Sequence, residues 1–231
     1  MAEQRLARKD IKEPDHFLTT SVQFMYWIRE HTRALAYSTV GLLCIIGLVI
    51  AWSKWQQSRE AQATTLFYQA KKLLEAGGGT TKQTDTTQIQ ATLENIVLHY
   101  GNTSVSALAH WHLGQMAFES GDYAKAIQAY QQAQQKVSQA SNAPMFATIT
   151  LGIGYAQEAN GMYDQAMSSF DTVLQSSAYW LRSEAYMGLG RCYRRTGAVD
   201  KANTLRQRVL SDTHLSDITR QSLTEQLSPQ M

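Results

Sequence analysis

Three pairs of glycines constrain this chain more tightly than any other feature. Gly114, Gly154 and Gly190 each follow an apolar residue (Leu113, Ile153, Leu189), and each is followed seven residues later by a second glycine, Gly121, Gly161 or Gly197. Nine residues on stand Tyr123, Tyr163 and Val199; twelve on stand Ala126, Ala166 and Ala202. The first glycines of the three copies lie 40 and 36 residues apart. Helical periodicity runs up to the second glycine and restarts directly after it, so each copy reads as two helices folded back on each other. The second glycine ends the first helix, where a left-handed backbone costs glycine least. The first glycine and the alanine predict a close crossing of the two helices, with Tyr123, Tyr163 and Val199 filling the gap beneath the turn. One copy would be a weak signal; three in register define the architecture.

The register resembles the tetratricopeptide repeat, an antiparallel helix pair of about 34 residues. A weaker pair precedes the three copies. Ser58 to Ala76 reads as an amphipathic helix with Leu66, Phe67, Ala70, Leu73 and Leu74 inward, and 87–100 as its partner with Ile89, Leu93, Ile96 and Val97. Between them Gly77 to Asp85 carries three glycines and three threonines, the composition of a flexible loop. After Leu210 a capping helix is expected from Asp217 to Leu227, with Ser216 as its N-cap. A stack of this kind needs several pairs and a cap, because no single pair buries its apolar face alone.

Before the repeats lies a different kind of sequence. Ala34 to Trp52 is nineteen residues without a charge, bracketed by Arg33 and Lys54. At about 1.5 Å per residue it spans roughly 28 Å, close to the hydrocarbon thickness of a bilayer. Tyr26, Trp27 and Tyr37 on one side and Trp52 and Trp55 on the other suit interfacial belts. Thirty-three residues precede the run, too many for the usual leader of a signal peptide. An uncleaved transmembrane helix over 34–55 is therefore expected, dividing an N-terminal tail (1–33) from the repeat domain (56–231). The tail holds Arg5, Arg8, Lys9, Lys12, Arg29 and Arg33, which favours a cytoplasmic N-terminus, although Lys54 and Arg59 stand just beyond the span. Phe17, Leu18, Val22, Phe24, Met25, Trp27 and Ile28 form an apolar stripe behind Glu13-Pro14-Asp15. It reads either as an interfacial helix or as the first turns of the membrane helix. The fold class is all-α: one transmembrane helix, then a tetratricopeptide-like α-solenoid.

Composition excludes several functions. A net charge of +2 is too small for a nucleic-acid footprint. The two cysteines, Cys44 and Cys192, supply no disulfide framework. Catalytic motifs for acyl, phosphoryl or hydride transfer are missing, as are paired carboxylates, so no enzyme, cofactor or small-molecule substrate is expected. His110 and His112 stand two apart on a helix, about 200° from each other, and read as structural residues rather than metal ligands.

Arrays of this type act through the concave face formed by the first helix of each pair. In this register the inward positions are Leu108, Trp111, Gln115 and Phe118 in the first copy, and Leu151, Tyr155 and Glu158 in the second. The third contributes Glu184, Met187, Arg191, Arg194 and Arg195. An aromatic and apolar floor thus leads to an arginine cluster. Two readings stay open: a binding floor, or core packing at the aromatics and a solvated face at the arginines. The Lys and Asn residues of repeats that clamp a C-terminal carboxylate are replaced here by Trp111, Gln115, Leu151, Tyr155 and Arg191.

Order and local sequence together resemble the YfgM family, ancillary subunits of the bacterial SecYEG translocon. The likeness rests on the aromatic and basic flank from Val22 to Arg33 and on Trp52-Ser53-Lys54-Trp55. It extends to the alanine-rich entry from Ala61 to Ala70 and the join from Leu98 to Ala109, and covers about Asp15 to Leu210. The resemblance implies a single-pass protein of the bacterial inner membrane, with its N-terminus in the cytoplasm and its repeats in the periplasm. It further implies association with the translocon, periplasmic chaperones or secreted clients. The competing expectations are a structural subunit of a larger envelope assembly or secretion machine that holds one fixed partner, and a cytoplasm-facing scaffold if the orientation is reversed.

Overall fold

The computed structural model describes Trp27, Arg29 and residues 31–76, 83–138 and 142–228, and all regular structure among them is helical. The chain divides into two units, Met1–Gln57 and Ser58–Met231. The apolar stripe expected in the tail lies outside the described residues except for Trp27, whose ring stacks on His31 at 5.0 Å.

Helix α1 (Thr32–Ala76) is a single 45-residue helix. The sequence reading divided it into a span and a separate first repeat helix, but no proline or glycine interrupts it between Gly47 and Gly77. Trp-Ser-Lys-Trp-Gln-Gln-Ser-Arg-Glu therefore continues the same backbone ladder. In the first unit, every described residue from Ala34 to Trp52 is exposed. This is the one helix among the described residues that is long and apolar enough to cross a membrane.

In the second unit, the last part of α1 packs with α2 (Gln83–His99) around Ala63, Ala70, Ile89, Leu93 and Ile96. Because α2 begins at Gln83, the expected loop is shorter than Gly77 to Asp85; its remaining part, 77–82, lies outside the described residues. The carboxylate of Glu60 accepts from the backbone N–H and the hydroxyl of Ser104, so α1 caps the start of the next helix.

The three copies follow as α3 (Ser104–Glu119) with α4 (Tyr123–Lys136), α5 (Ala143–Ala159) with α6 (Tyr163–Gln175), and α7 (Arg182–Thr196) with α8 (Val199–Ser211). A short 3-10 turn, Tyr179–Leu181, leads into α7, and α9 (Asp217–Gln226) closes the stack. Ser216 caps α9, its hydroxyl accepting from Thr219 N–H at 3.2 Å.

Gly121, Gly161 and Gly197 have φ of +81°, +77° and +68°. Each terminates its helix with the same two bonds; in the first copy Gly121 N–H donates to Phe118 O and Asp122 N–H to Ala117 O. This is the left-handed helix ending that glycine accommodates without a side-chain clash.

The close crossing is made by rings. A methyl group at Gly114 would lie 2.6 Å from the Tyr130 ring, and one at Gly154 would lie 2.7 Å from the Phe170 ring. The next pair supplies a second glycine against each ring: Gly152 beside Tyr130, Gly188 beside Phe170. Ala126 and Ala166 are fully buried. The third copy departs from this plan. Arg206 stands where Tyr130 and Phe170 stand in the others, and the space over Gly190 is filled by Leu227 from the end of the cap. Ala202 is correspondingly only half-buried. Val199 does not fill its turn either, being 63% exposed. Tyr123 reaches the ring of Phe118 at 5.4 Å, whereas the residue matching Phe118 in the third copy is Arg194, which gives Val199 no apolar partner.

The cap is fastened by a buried polar hub. Asp212 accepts from Arg182 Nε at 2.6 Å, from Tyr186 Oη at 2.8 Å and from the backbone N–H of His214 at 3.0 Å. Arg220 of α9 donates to the Asp212 carbonyl at 3.2 Å. Burial alone would raise the Asp212 carboxyl, but these donors outweigh it and hold it below the usual carboxylate value.

Candidate functional site

Two adjoining clefts run along the faces of α3, α5 and α7. The first, of about 250 Å³, is lined by Trp111, Gln115, Phe118, Leu151 and Tyr155, with Gly152 and the Tyr130 ring beneath. The second, of about 370 Å³, is lined by Glu158, Tyr163, Arg191 and Arg195. Phe118 and Tyr155 border both, so the clefts form one groove.

Helix periodicity explains the alignment. Trp111, Gln115 and Phe118 are spaced by four and three residues, as are Leu151, Tyr155 and Glu158, so each set lies along one face of its helix. The floor also belongs to the core. Trp111 and Phe118 pack against the cluster of Ala117, Ile127, Tyr130 and Ile153 while keeping part of their surface open. The two readings of these aromatics, floor and packing, are thus both true of the geometry. Burial, with the charge of Glu119 added, pushes the Tyr130 hydroxyl up to about 12. It is a neutral group at any physiological pH.

The charged end differs from the expected arginine cluster. Arg191 donates from Nε to Glu158 Oε1 at 2.6 Å and from Nη2 to Oε2 at 2.7 Å. Its guanidinium also lies 5.5 Å from the centre of the Tyr155 ring. The pair bridges two successive groove helices in the two-pronged geometry that favours arginine over lysine. Hydrogen bonding to Glu158 raises Arg191 further above its ordinary value, so it stays charged. Arg194 turns away to the cap, where Nη1 approaches the Gln226 carbonyl at 3.4 Å. Arg195 alone of the three arginines makes no hydrogen bond or ion pair among the described residues.

Leu108 and Met187 are half-buried and line neither cleft; Met187 packs on the core around Phe170 and Leu189. Glu184 is exposed, and its charge raises the Tyr155 hydroxyl, although burial is the larger cause. Sequence reasoning missed Gly152, Tyr130 and Thr148. A signal existed for the first two. Gly152 and Gly188 each precede a repeat glycine by two residues, and Tyr130 and Phe170 each follow one by sixteen.

His112 lies between Phe67 (5.5 Å) and Trp111 (4.7 Å), while His110 is buried. Burial lowers both below the ordinary histidine value, with Lys136 adding to the effect at His110. Among the described residues, no group of three or more His, Cys, Asp or Glu side chains is placed to hold a metal ion.

The sequence profile of the tetratricopeptide repeat-like domain matches residues 25–227, well over half of the chain. No curated protein matches it.

Proposed function

Because the chain belongs to the tetratricopeptide repeat-like domain family, whose members are typically protein-interaction modules, we propose that it is a membrane-anchored scaffold for polypeptides. The observation that carries this reading is the continuous groove across the first helices of three successive pairs, largely apolar at one end and charged at the other. Partly open aromatic side chains beside arginine are the residue types that dominate binding energy at protein interfaces.

Anchoring is supported by α1. Leaving side chains such as Leu43, Ile45, Leu48 and Val49 in water would forfeit about 1.5–3 kcal/mol for each one that could be buried, and nothing in the described chain covers them. The few polar groups nearby are satisfied within the helix: Thr39 Oγ1 donates to the Ala36 carbonyl at 2.9 Å and Ser53 Oγ to that of Ile50 at 3.0 Å. The span is assigned to 34–55, the tail (1–33) to the cytoplasm and the repeats (56–231) to the periplasm of a bacterial inner membrane. This orientation follows the six cations of the tail and the resemblance to the YfgM family. That resemblance also supports a role beside the translocon, linking secreted polypeptides to periplasmic chaperones.

Two experiments test the reading. Protease added to spheroplasts should digest the region after Trp55 and spare the tail; digestion only after the membrane is opened would reverse the orientation. A photo-crosslinking residue at Gln115 in intact cells should capture many different secreted proteins. Capture of one stoichiometric partner would instead make the chain a fixed subunit of an envelope assembly.

A further inference from the structure

We infer that the groove holds one short extended polypeptide segment by two side chains: a large apolar one seated in the first cleft, and a carboxylate placed at Arg195 in the second. The inference rests on the scaffold reading above and specifies what that scaffold recognises.

The first cleft has the dimensions of a socket for a single large apolar side chain. Its walls are Trp111, Phe118, Leu151 and Tyr155, and its depth is set by Gly152. A Cβ at that glycine would stand 3.3 Å from Tyr130 Cζ, so any larger side chain there would occupy space that is now open. Glycine at this position lets the edge of the otherwise buried Tyr130 ring contribute to the lining of the cleft.

The second cleft carries a surplus positive charge. Two guanidinium groups line it against one carboxylate, and both oxygens of that carboxylate are already engaged by Arg191. The uncompensated charge therefore falls on Arg195. At the opposite end of the groove the exposed carboxylate of Glu119 borders the first cleft and disfavours an acid there. Charge thus orders the ligand, with the apolar side chain toward α3 and the carboxylate toward α7. Because Phe118 and Tyr155 border both clefts, both side chains belong to one short segment.

The test uses the full chain in detergent micelles and fluorescein-labelled glycine–serine peptides carrying one phenylalanine and one aspartate. Sister peptides carry serine for the phenylalanine or asparagine for the aspartate. Fluorescence anisotropy should show that loss of the phenylalanine weakens binding by roughly ten- to a hundredfold, as expected for burying one such side chain. Loss of the aspartate should weaken it by up to about fivefold at low salt and less at high salt, as for an exposed ion pair.

Gly152→Leu should abolish the phenylalanine preference and keep the aspartate preference; Arg195→Ser should do the reverse. Circular dichroism reports whether each variant is folded. Should Gly152→Leu fail to fold, Thr148→Trp fills the same socket from its rim. Equal binding of the phenylalanine and serine peptides, or a folded Gly152→Leu chain with the preference intact, overturns the inference. If Gln115 still captures polypeptides in cells, that failure concerns the ligand's chemistry alone. If nothing is captured, the scaffold reading fails with it.

Discussion

The three groove helices are built alike and faced differently. One residue after each repeat glycine stand Gln115, Tyr155 and Arg191; four after it stand Phe118, Glu158 and Arg194. Three before it stand Trp111, Leu151 and Met187. Across the same three copies the turn glycines are identical, and their φ values all fall in the left-handed region, at +81°, +77° and +68°. The crossing and turn glycines and the alanine of the second helix are held constant, while positions that face the groove change from aromatic to charged along the stack. The difference separates two kinds of residue in one helix: those that set where a side chain points, and those that decide what it meets.

Scaffold substitutions should lower stability without touching the groove. The largest effect is expected at the hub that fastens the cap. Asp212→Ala leaves Arg182 and Tyr186 without their buried acceptor and should cost about 3–5 kcal/mol in urea unfolding. The same hub predicts a pH dependence. A carboxyl held below its unfolded value stabilises the fold above about pH 4, and that contribution disappears as pH falls through the lowered folded value. His110 and His112, both lowered by burial, act in the same direction. Their contribution is complete above about pH 6.5 and declines as the solution becomes more acidic. The melting temperature should therefore fall from pH 7.5 to 5 and again below 4. A flat profile would remove these groups from the account.

Overpacking the crossing comes next. Ala166→Leu, at a fully buried position, should cost about 1–3 kcal/mol, and Gly154→Leu a comparable amount through the Phe170 ring. A melting temperature unchanged within error in both would mean that the repeat register is misassigned.

Groove substitutions sharpen the contrast from the other side. Trp111→Ala should weaken polypeptide binding at every salt concentration, with some loss of stability because the ring also packs on the core. At the small end of the scale, Arg194→Ser should change neither affinity nor stability measurably, since that side chain is exposed and turned to the cap. A loss of binding in Arg194→Ser would restore the three-arginine cluster that the sequence pattern suggested.

The parts of the molecule legible in the sequence are those that local periodicity controls. The helix-ending glycines, the buried faces of α1 and α2, and the N-cap of α9 all follow from spacing within one element. What spacing could not reveal depends on contacts between elements. The Glu158–Arg191 pair joins residues 33 apart, and its geometry exists only once α5 and α7 are stacked. Gly152 and Gly188 recur at one spacing, but what they leave room for shows only once Tyr130 and Phe170 are seen packed beside them. Leu227 replaces the missing ring of the third copy from a different element altogether. The continuity of α1 was hidden for the opposite reason. A change from apolar to amphipathic pattern looks like a boundary, although the backbone has no cause to break there.

The central claim is that polypeptides are bound on the groove face of the repeats and not elsewhere on them. The most direct measurement places the same photo-crosslinking residue, one position at a time, at Gln115 and Thr148 in the groove and at Gln128 and Ser168, exposed on α4 and α6. Crosslinked yield in intact cells is then compared, with melting temperature as the check on folding. The account predicts polypeptide capture at Gln115 and Thr148 and little at Gln128 and Ser168. Equal or greater capture at Gln128 and Ser168 would contradict it and move the binding surface to the second helices of the pairs.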